Sequence, residues 1–335
     1  MMKTLRRVSA FAASFVLFAT MGAPARATTT PLDGQVPRYD HILVIVEENK
    51  DYSTIMDGNL TPNIVRLAKT YGTATQMFGE RHPSQPNYVA MLGGDTFGVA
   101  DDHFPDIIDQ PNLGTQLRAK GLDWRAYLED LPAPGWIRGA VSPPPGQYAA
   151  KHTGFTNFKS TYEMSAPELA KRLVAFDALH ADLKSGNVPA FAFVIPNLCN
   201  EMHGADACPD QPTVIARGDA VVGALVAAIQ ASPIWTTPGK NTAIVITWDE
   251  DGSFSNGSCC VKNANNPGGG RVATVVVTNH GPSGVVDATP YDHYSLLRTI
   301  EDAFGLAHLA HADDATVLPM VPLFTTSAPS PRPRS

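Results

Sequence analysis

The sequence predicts an α/β fold: a mostly parallel central sheet with helices on both faces, in a single domain. Three observations predict it. Apolar runs such as "HILVIV" and "TAIVITW" lack polar alternation, so the strands they form are buried on both faces. Segments with helical periodicity separate them, the arrangement that yields parallel strands covered by helices. The chain has 335 residues, 44% hydrophobic and 17% charged, enough for one large core, and it shows no repeat or second domain.

The elements follow in order. "MMKTLRRVSAFAASFVLFATMGAPARA" sets Lys3, Arg6 and Arg7 before an apolar stretch over residues 8–21 and then Ala25-Arg26-Ala27. That is the pattern of an export signal cut after Ala27, and the apolar stretch is short for a bilayer span. A Thr/Pro/Gly linker occupies residues 28–37, and the folded domain is expected over residues 38–323. "HILVIV" is the first strand, and "TPNIVRLAKTYG" a helix with Thr61 as cap, Pro62 in its first turn and Gly72 as stop. "TATQMF" reads as a strand, "PNYVAMLGG" and "NLGTQLRAKG" as helices, and "DWRAYLED" as a strand. A long helix over residues 166–184 is expected from the capping box Ser165 to Glu168 and from Leu169, Leu173 and Phe176 on one face. Strand "PAFAFVIP", helix "VIARGDAVVGALVAAIQAS", strands "TAIVITW" and "RVATVVVT" and helix "YSLLRTIEDAFG" complete the domain. The irregular stretches 130–160 and 251–270 are long enough to be functional loops. Residues 324–335 read as a flexible tail.

Charge and cysteines narrow the function. Loss of the signal removes four cations and no acids, taking the net charge from −7 to −11. So acidic a chain is a poor partner for nucleic acid or an anionic membrane. No second membrane span is expected, which makes the mature protein soluble and exported, without a stable membrane anchor. Cys199, Cys208, Cys259 and Cys260 fit an oxidising compartment. Cys199 with Cys208 is the preferred disulfide, the vicinal pair is awkward, and a thiolate metal site ranks below disulfides.

In an open parallel sheet ligands bind beyond the carboxyl ends of the strands. Four polar clusters fall there: "EEN" after the first strand, "ERHPSQPNY" after the second, "PNLCNEMHGAD", and "TWDEDGS". Glu48, Asn49, Asp249 and Glu250 offer carboxylate and amide oxygens, the ligand set of one hard divalent cation, with Mg, Ca, Mn or Zn all open. Glu47 points the other way by strand alternation, and Lys50 and Asp51 receive no task. Ser84, between Pro83 and Pro86 at a helix start, reads as a nucleophile facing the positive helix end. The turn is not a G-x-S-x-G elbow. A Ser/His/Asp triad using His82, His152, His203 or His293 would leave the four oxygen ligands without a role. Serine plus cation points to phosphoryl transfer. His152 and His203 are candidates to hold phosphate oxygens or protonate the leaving group, Lys151 adds a charge beside His152, and His293 with Asp292 can face the site.

The segments "EENKDYS", "HPSQPNY", "YAAKHTGF", "IPNLCNEMH", "TWDEDG" and "DHYSLLRTIED" run in order over nearly the whole mature chain. Together they resemble the bacterial secreted phosphoesterase family of acid phosphatases and phospholipases C, a branch of the alkaline-phosphatase-like superfamily. The resemblance implies an alkaline-phosphatase-like fold and a phosphoseryl intermediate on Ser84. It further implies a metal held by Glu48, Asn49, Asp249 and Glu250, and active-site polar groups at Asn87, His152 and His203. "TWDEDGS" departs from the family's usual continuation, and "KHTGF" lacks its common proline. The shorter acid phosphatases, which act on phosphomonoesters including phosphoinositides such as phosphatidylinositol 3-phosphate, look closer than the phospholipases C. The leading expectation is an exported, metal-assisted phosphomonoesterase whose partner is a phosphate ester, with transient membrane contact where that ester is a lipid. The alternatives are a phospholipase C, with Trp136, Tyr148 and Phe155 lining its substrate site, and a non-catalytic exported binding protein.

Overall fold

The computed structural model describes residues 35–139, 147–261, 263 and 266–325. The expected export signal, most of the linker and the tail beyond residue 325 lie outside them. Nine strands are formed among the described residues: β1 His41–Glu47, β2 Gly72–Phe78, β3 Trp124–Leu128, β4 Leu173–Val174, β5 Phe191–Ile195, β6 Thr242–Trp248, β7 Arg271–Thr278, β8 Val285–Asp287 and β9 Tyr291–Asp292. They build one sheet in the order β4-β3-β5-β1-β6-β7-β2-β8, with β9 also on β2. The pairs from β4 to β6 are parallel, as are β2–β8 and β2–β9. Only β7 runs against its neighbours, β6 and β2, so the sheet is mostly parallel as the sequence predicts.

Consecutive side chains of a strand face opposite sides, yet every residue from Ile42 to Glu47 and from Thr242 to Trp248 is buried. Both faces of the central strands are therefore covered. The helix Gln211–Ala231 contributes to that cover with Val214, Val222, Leu225, Val226 and Ile229, and packs against the helix Pro62–Thr70. By length and composition alone it could cross a membrane, contrary to the expectation that no second such segment exists. Its buried apolar residues make it a core helix here.

Two local expectations are corrected. Residues 166–184 form two helices, Ala166–Arg172 and Phe176–Ser185, because Leu173 and Val174 leave the helix to pair with Ala126 and Tyr127 of β3. Edge pairing with burial of both side chains outweighs continuation of the helix, and the Ser165 side chain forms no cap. Likewise the Thr61 hydroxyl donates to the Ile55 carbonyl instead of capping, and Gly72 opens β2 rather than ending the helix.

The topology positions the site. In the β1–β6 register Glu47 stands opposite Trp248, so the residues that follow the two strands leave the sheet side by side. β2 runs parallel to β1, two strands beyond β6, and its carboxyl end lies on the same edge.

Candidate active site

At the end of β1 the chain turns through Asn49, whose φ of 49° lies in the left-handed region that asparagine tolerates better than most residues. The turn brings the Asn49 N–H to Asp249 Oδ1 at 3.1 Å, while the Glu48 N–H donates to the Glu201 carbonyl at 2.7 Å. Lys50 and Asp51 turn out to brace it: Lys50 Nζ donates to the Asn49 carbonyl, and Asp51 Oδ1 accepts the N–H groups of Gly252 and Ser253. Glu48 and Asp249 are both fully buried.

Ser84 reaches this point because the segment after β2 lies flat on the loop between β6 and β7. Gly79 and Gly269 exchange close main-chain contacts, and a Cβ on Gly79 would come 2.6 Å from the Asp249 carbonyl. Asn87 then closes the turn. Its Oδ1 accepts from the N–H groups of Glu80 and Arg81 at 2.8 and 3.3 Å, and its Nδ2 donates to the carbonyls of Arg81 and Pro83 at 2.7 and 3.3 Å. Ser84 precedes the helix Gln85–Gly93 without capping it. Its hydroxyl donates instead to Glu48 Oε2 at 3.0 Å. Four residues on, one helical turn, the Tyr88 hydroxyl donates to Glu48 Oε1 at 2.6 Å.

His152 stacks on Tyr88, with Nε2 3.2 Å from Glu48 Oε1 and Nδ1 2.8 Å from Glu201 Oε1. His203 lies beside it, ring centroids 5.6 Å apart, on the loop that the Cys199–Cys208 disulfide closes as expected. Glu48, His152 and His203 present ligand atoms within 4.8 Å of one another, a group able to hold a metal ion. Lys151 pairs with Asp102, which also accepts the Gln85 N–H at the helix start.

With this geometry the comparisons can be read. A family model described as "Phosphoesterase family" matches residues 54–307. A phosphatidylinositol-3-phosphatase of Mycobacterium tuberculosis is 31% identical over 282 residues, 84% of this chain and 82% of its own. The chain belongs to the phosphoesterase family. It is a phosphoric ester hydrolase by that membership. A phosphate-repressible acid phosphatase of Penicillium chrysogenum is 30% identical over 84% of this chain but only 63% of its own, so the phosphoesterase spans less than two thirds of that relative. Among solved structures, a protein in the alkaline phosphatase superfamily from Vibrio parahaemolyticus superposes with a TM-score of 0.54 at 11% identity, over 82% of this chain and 69% of that one. That likeness shows the alkaline-phosphatase-like fold.

The electrostatics of the phosphoesterase site follow from burial. Burial, then Glu48 and Glu250, raises the Asp249 carboxyl well above the usual carboxylate range, and its Oδ2 has no hydrogen-bond partner. The Asn49 side-chain oxygen lies 3.3 Å from Asp249 Oδ1 and closer still to Glu48 Oε2. Turned over, the amide donates to both carboxyls; with the carbonyl inward, three oxygens converge, the donor set of a hard cation. Burial lowers His152 to about 3 and raises Glu201 to about 8, so at neutral pH the ring is neutral and Glu201 protonated. Around Lys151 burial works against the charge, but Glu48 and Asp102 outweigh it and hold its pKa above the ordinary value.

Several predicted positions are reassigned. Glu250, expected beside Asp249 in the cation set, turns its Oε2 to His82 Nδ1 at 2.6 Å. Asn87, expected to touch substrate, is buried with its amide committed to the turn. His293, expected to face the site, is fully buried with Nε2 3.1 Å from the Trp248 carbonyl, and burial lowers it to about 4. Phe155, expected at a substrate surface, is a core ring stacked on Trp124. The awkward vicinal pair Cys259–Cys260 is in fact bonded. Glu47 points away from Glu48 as expected, but it is buried against Met202 and Gly218 rather than idle at a surface. Sequence reasoning missed the roles of Tyr88, Glu201 and Asp102. Only Tyr88 carried a readable signal, the four-residue helical spacing from Ser84.

Proposed function

We propose that this phosphoesterase is a metal-assisted phosphomonoesterase that works through a phosphoserine on Ser84. The observation that carries the reading is the Ser84 hydroxyl at a helix start, hydrogen-bonded to a buried Glu48 on which Tyr88 and His152 also converge. Glu48, Asn49 and Asp249 would hold the divalent cation; the converging oxygens and the unpartnered Asp249 Oδ2 are the fit. When bound, the cation supplies neutralisation of phosphoryl charge and lowers the pKa of a coordinated oxygen.

The chain's own groups do the rest. Ser84 Oγ forms the bond to phosphorus as its proton passes toward Glu48, and the helix start and Lys151 offset the negative charge. His152, buried and stacked on Tyr88, places Nε2 3.2 Å from Glu48 Oε1 and closes that side of the carboxyl that orients the nucleophile. His203 Nδ1 donates to the Gly204 carbonyl at 2.6 Å, so the ring acts in its doubly protonated form, and its Nε2–H passes to the departing alcohol as the ester P–O bond breaks. Water then cleaves the serine ester and releases phosphate. The names of the relatives favour acid phosphatase action, with phosphoinositides among the substrates to be tried. The export signal ending at Ala27 and the two disulfides support an exported protein, and N-terminal sequencing of secreted material starting at Thr28 tests it.

The test uses purified protein and Ser84→Ala on a phosphomonoester and on a phosphocholine diester, with and without chelator. Loss of monoester turnover in Ser84→Ala and on chelation is expected. Turnover that survives in Ser84→Ala would sink the mechanism, and turnover of the diester alone would replace it with phospholipase C action.

A further inference from the structure

Next to His152, between Lys151 and His203, a pocket of about 310 Å³ opens, with different chemistry at its two ends. His203 and Lys151 mark the end toward the nucleophile: His203 adjoins His152 and Glu48, and Lys151 takes charge support from Glu48. Away from them the wall is mostly apolar, formed by Phe104, Tyr148, Ala149 and Leu198. Three polar groups at this pocket are already engaged. The Tyr148 hydroxyl bonds Thr153 Oγ1 at 2.8 Å, the Leu198 N–H donates to the Gln147 carbonyl, and Asp102 is taken by Lys151 and the Gln85 N–H.

We infer that this pocket receives an apolar leaving group, so that the preferred substrates are phosphate monoesters of small alkyl, cycloalkyl or aryl alcohols. The inference rests on the phosphomonoesterase reading and names the substrate class of that same site. The phosphoryl group belongs at the cationic end, where Asp102 links Lys151 to the start of the helix that follows Ser84, and the ester oxygen then points the alcohol along the apolar wall. Along that mostly apolar wall a polyol would lose water from its hydroxyls, a penalty for each one left unpaired. A hydrocarbon of the same shape gains from leaving water. Size adds a second limit. Ligand pockets run from about 300 to 1,000 Å³, and this one lies at the small end, fit for one ring or a short chain rather than a diacyl lipid.

Two matched comparisons on the wild-type protein test this. Cyclohexyl phosphate and myo-inositol 3-phosphate share a six-membered ring and differ in its hydroxyls. kcat/KM is expected to favour the cyclohexyl ester by about tenfold or more. Along ethyl, butyl and hexyl phosphate, whose leaving alcohols have similar acidity, kcat/KM should rise about threefold per methylene until the pocket is full. In Leu198→Asn that rise should flatten. Preference for the inositol ester, a flat alkyl series, or a slope unchanged by Leu198→Asn would each overturn the inference while leaving the phosphatase reading intact. Hydrolysis of none of these monoesters would instead remove the reading on which it rests.

Discussion

Glu301 offers a quantitative test of how the core handles charge. It lies on the helix His293–Phe304 and is fully buried; Oε1 accepts the Leu309 N–H at 3.0 Å and Oε2 has no partner. Burial raises its pKa from an ordinary 4.5 to about 9, Asp302 and Asp313 pushing the same way against Leu309 and Arg298. The sign follows. Between those two values the folded chain keeps the proton that the unfolded chain releases, so this residue lowers stability as pH rises from about 4.5 to 9. Each unit in that window is worth up to about 1.4 kcal/mol, which makes the loss at pH 8 about 5 kcal/mol and at pH 5 below about 1. Glu301→Gln keeps the acceptor for Leu309 and removes the titration. Urea unfolding of both proteins at pH 5 and pH 8 should give similar stabilities at the lower pH and a more stable variant, by several kcal/mol, at the higher. A difference that does not change with pH would refute the reasoning.

Two further substitutions test the site's supports. Asn87→Leu removes four main-chain contacts from the turn that carries Ser84 and takes its acceptor from the N–H of buried Glu80, at about 1–3 kcal/mol. Urea unfolding should register that loss, and kcat should fall in the variant that remains folded; an unchanged kcat would separate the turn from catalysis. Glu201→Gln retains a donor toward His152 Nδ1, whereas Glu201→Ala leaves the ring unsupported. The expected kcat is near wild type for the first and about 10- to 100-fold lower for the second, and equal values in both would remove Glu201 from any positioning role.

What the sequence could show depended on how local the cause was. β1 and β6 announce themselves by unbroken apolar runs, and the strand-end rule then points to Glu48, Asn49 and Asp249 without any knowledge of their partners. Which of Asp249 and Glu250 turns toward Asn49 is set by His82, which arrives from another loop and holds Glu250. No spacing encodes that. Leu173 and Val174 satisfy a helical stripe and a strand equally well, and only the free edge of β3 decides between them. Asn87 and Ser84 stand three apart in one polar turn, and composition alone does not show that the amide points back into the turn while the hydroxyl points out to Glu48.

The pair Glu47-Glu48 makes the same point at the scale of one bond. The two side chains are chemically alike, adjacent and both fully buried. Strand alternation sends them to opposite faces, and their fates then depend on what each meets. Glu48 meets two donors, Ser84 and Tyr88, and the ring of His152, brought by segments 36 to 104 residues further along the chain. Glu47 meets Met202 and the bare backbone of Gly218, has no hydrogen bond to either oxygen, and is driven by burial and then by Glu201 well above the usual carboxylate range. One residue has become the point on which the Ser84 hydroxyl is held, and its neighbour an acid packed in the core without a partner. The difference lies in the donors supplied from elsewhere in the chain, which is why a carboxylate pair at a strand end locates an active site more reliably than it assigns the work within it.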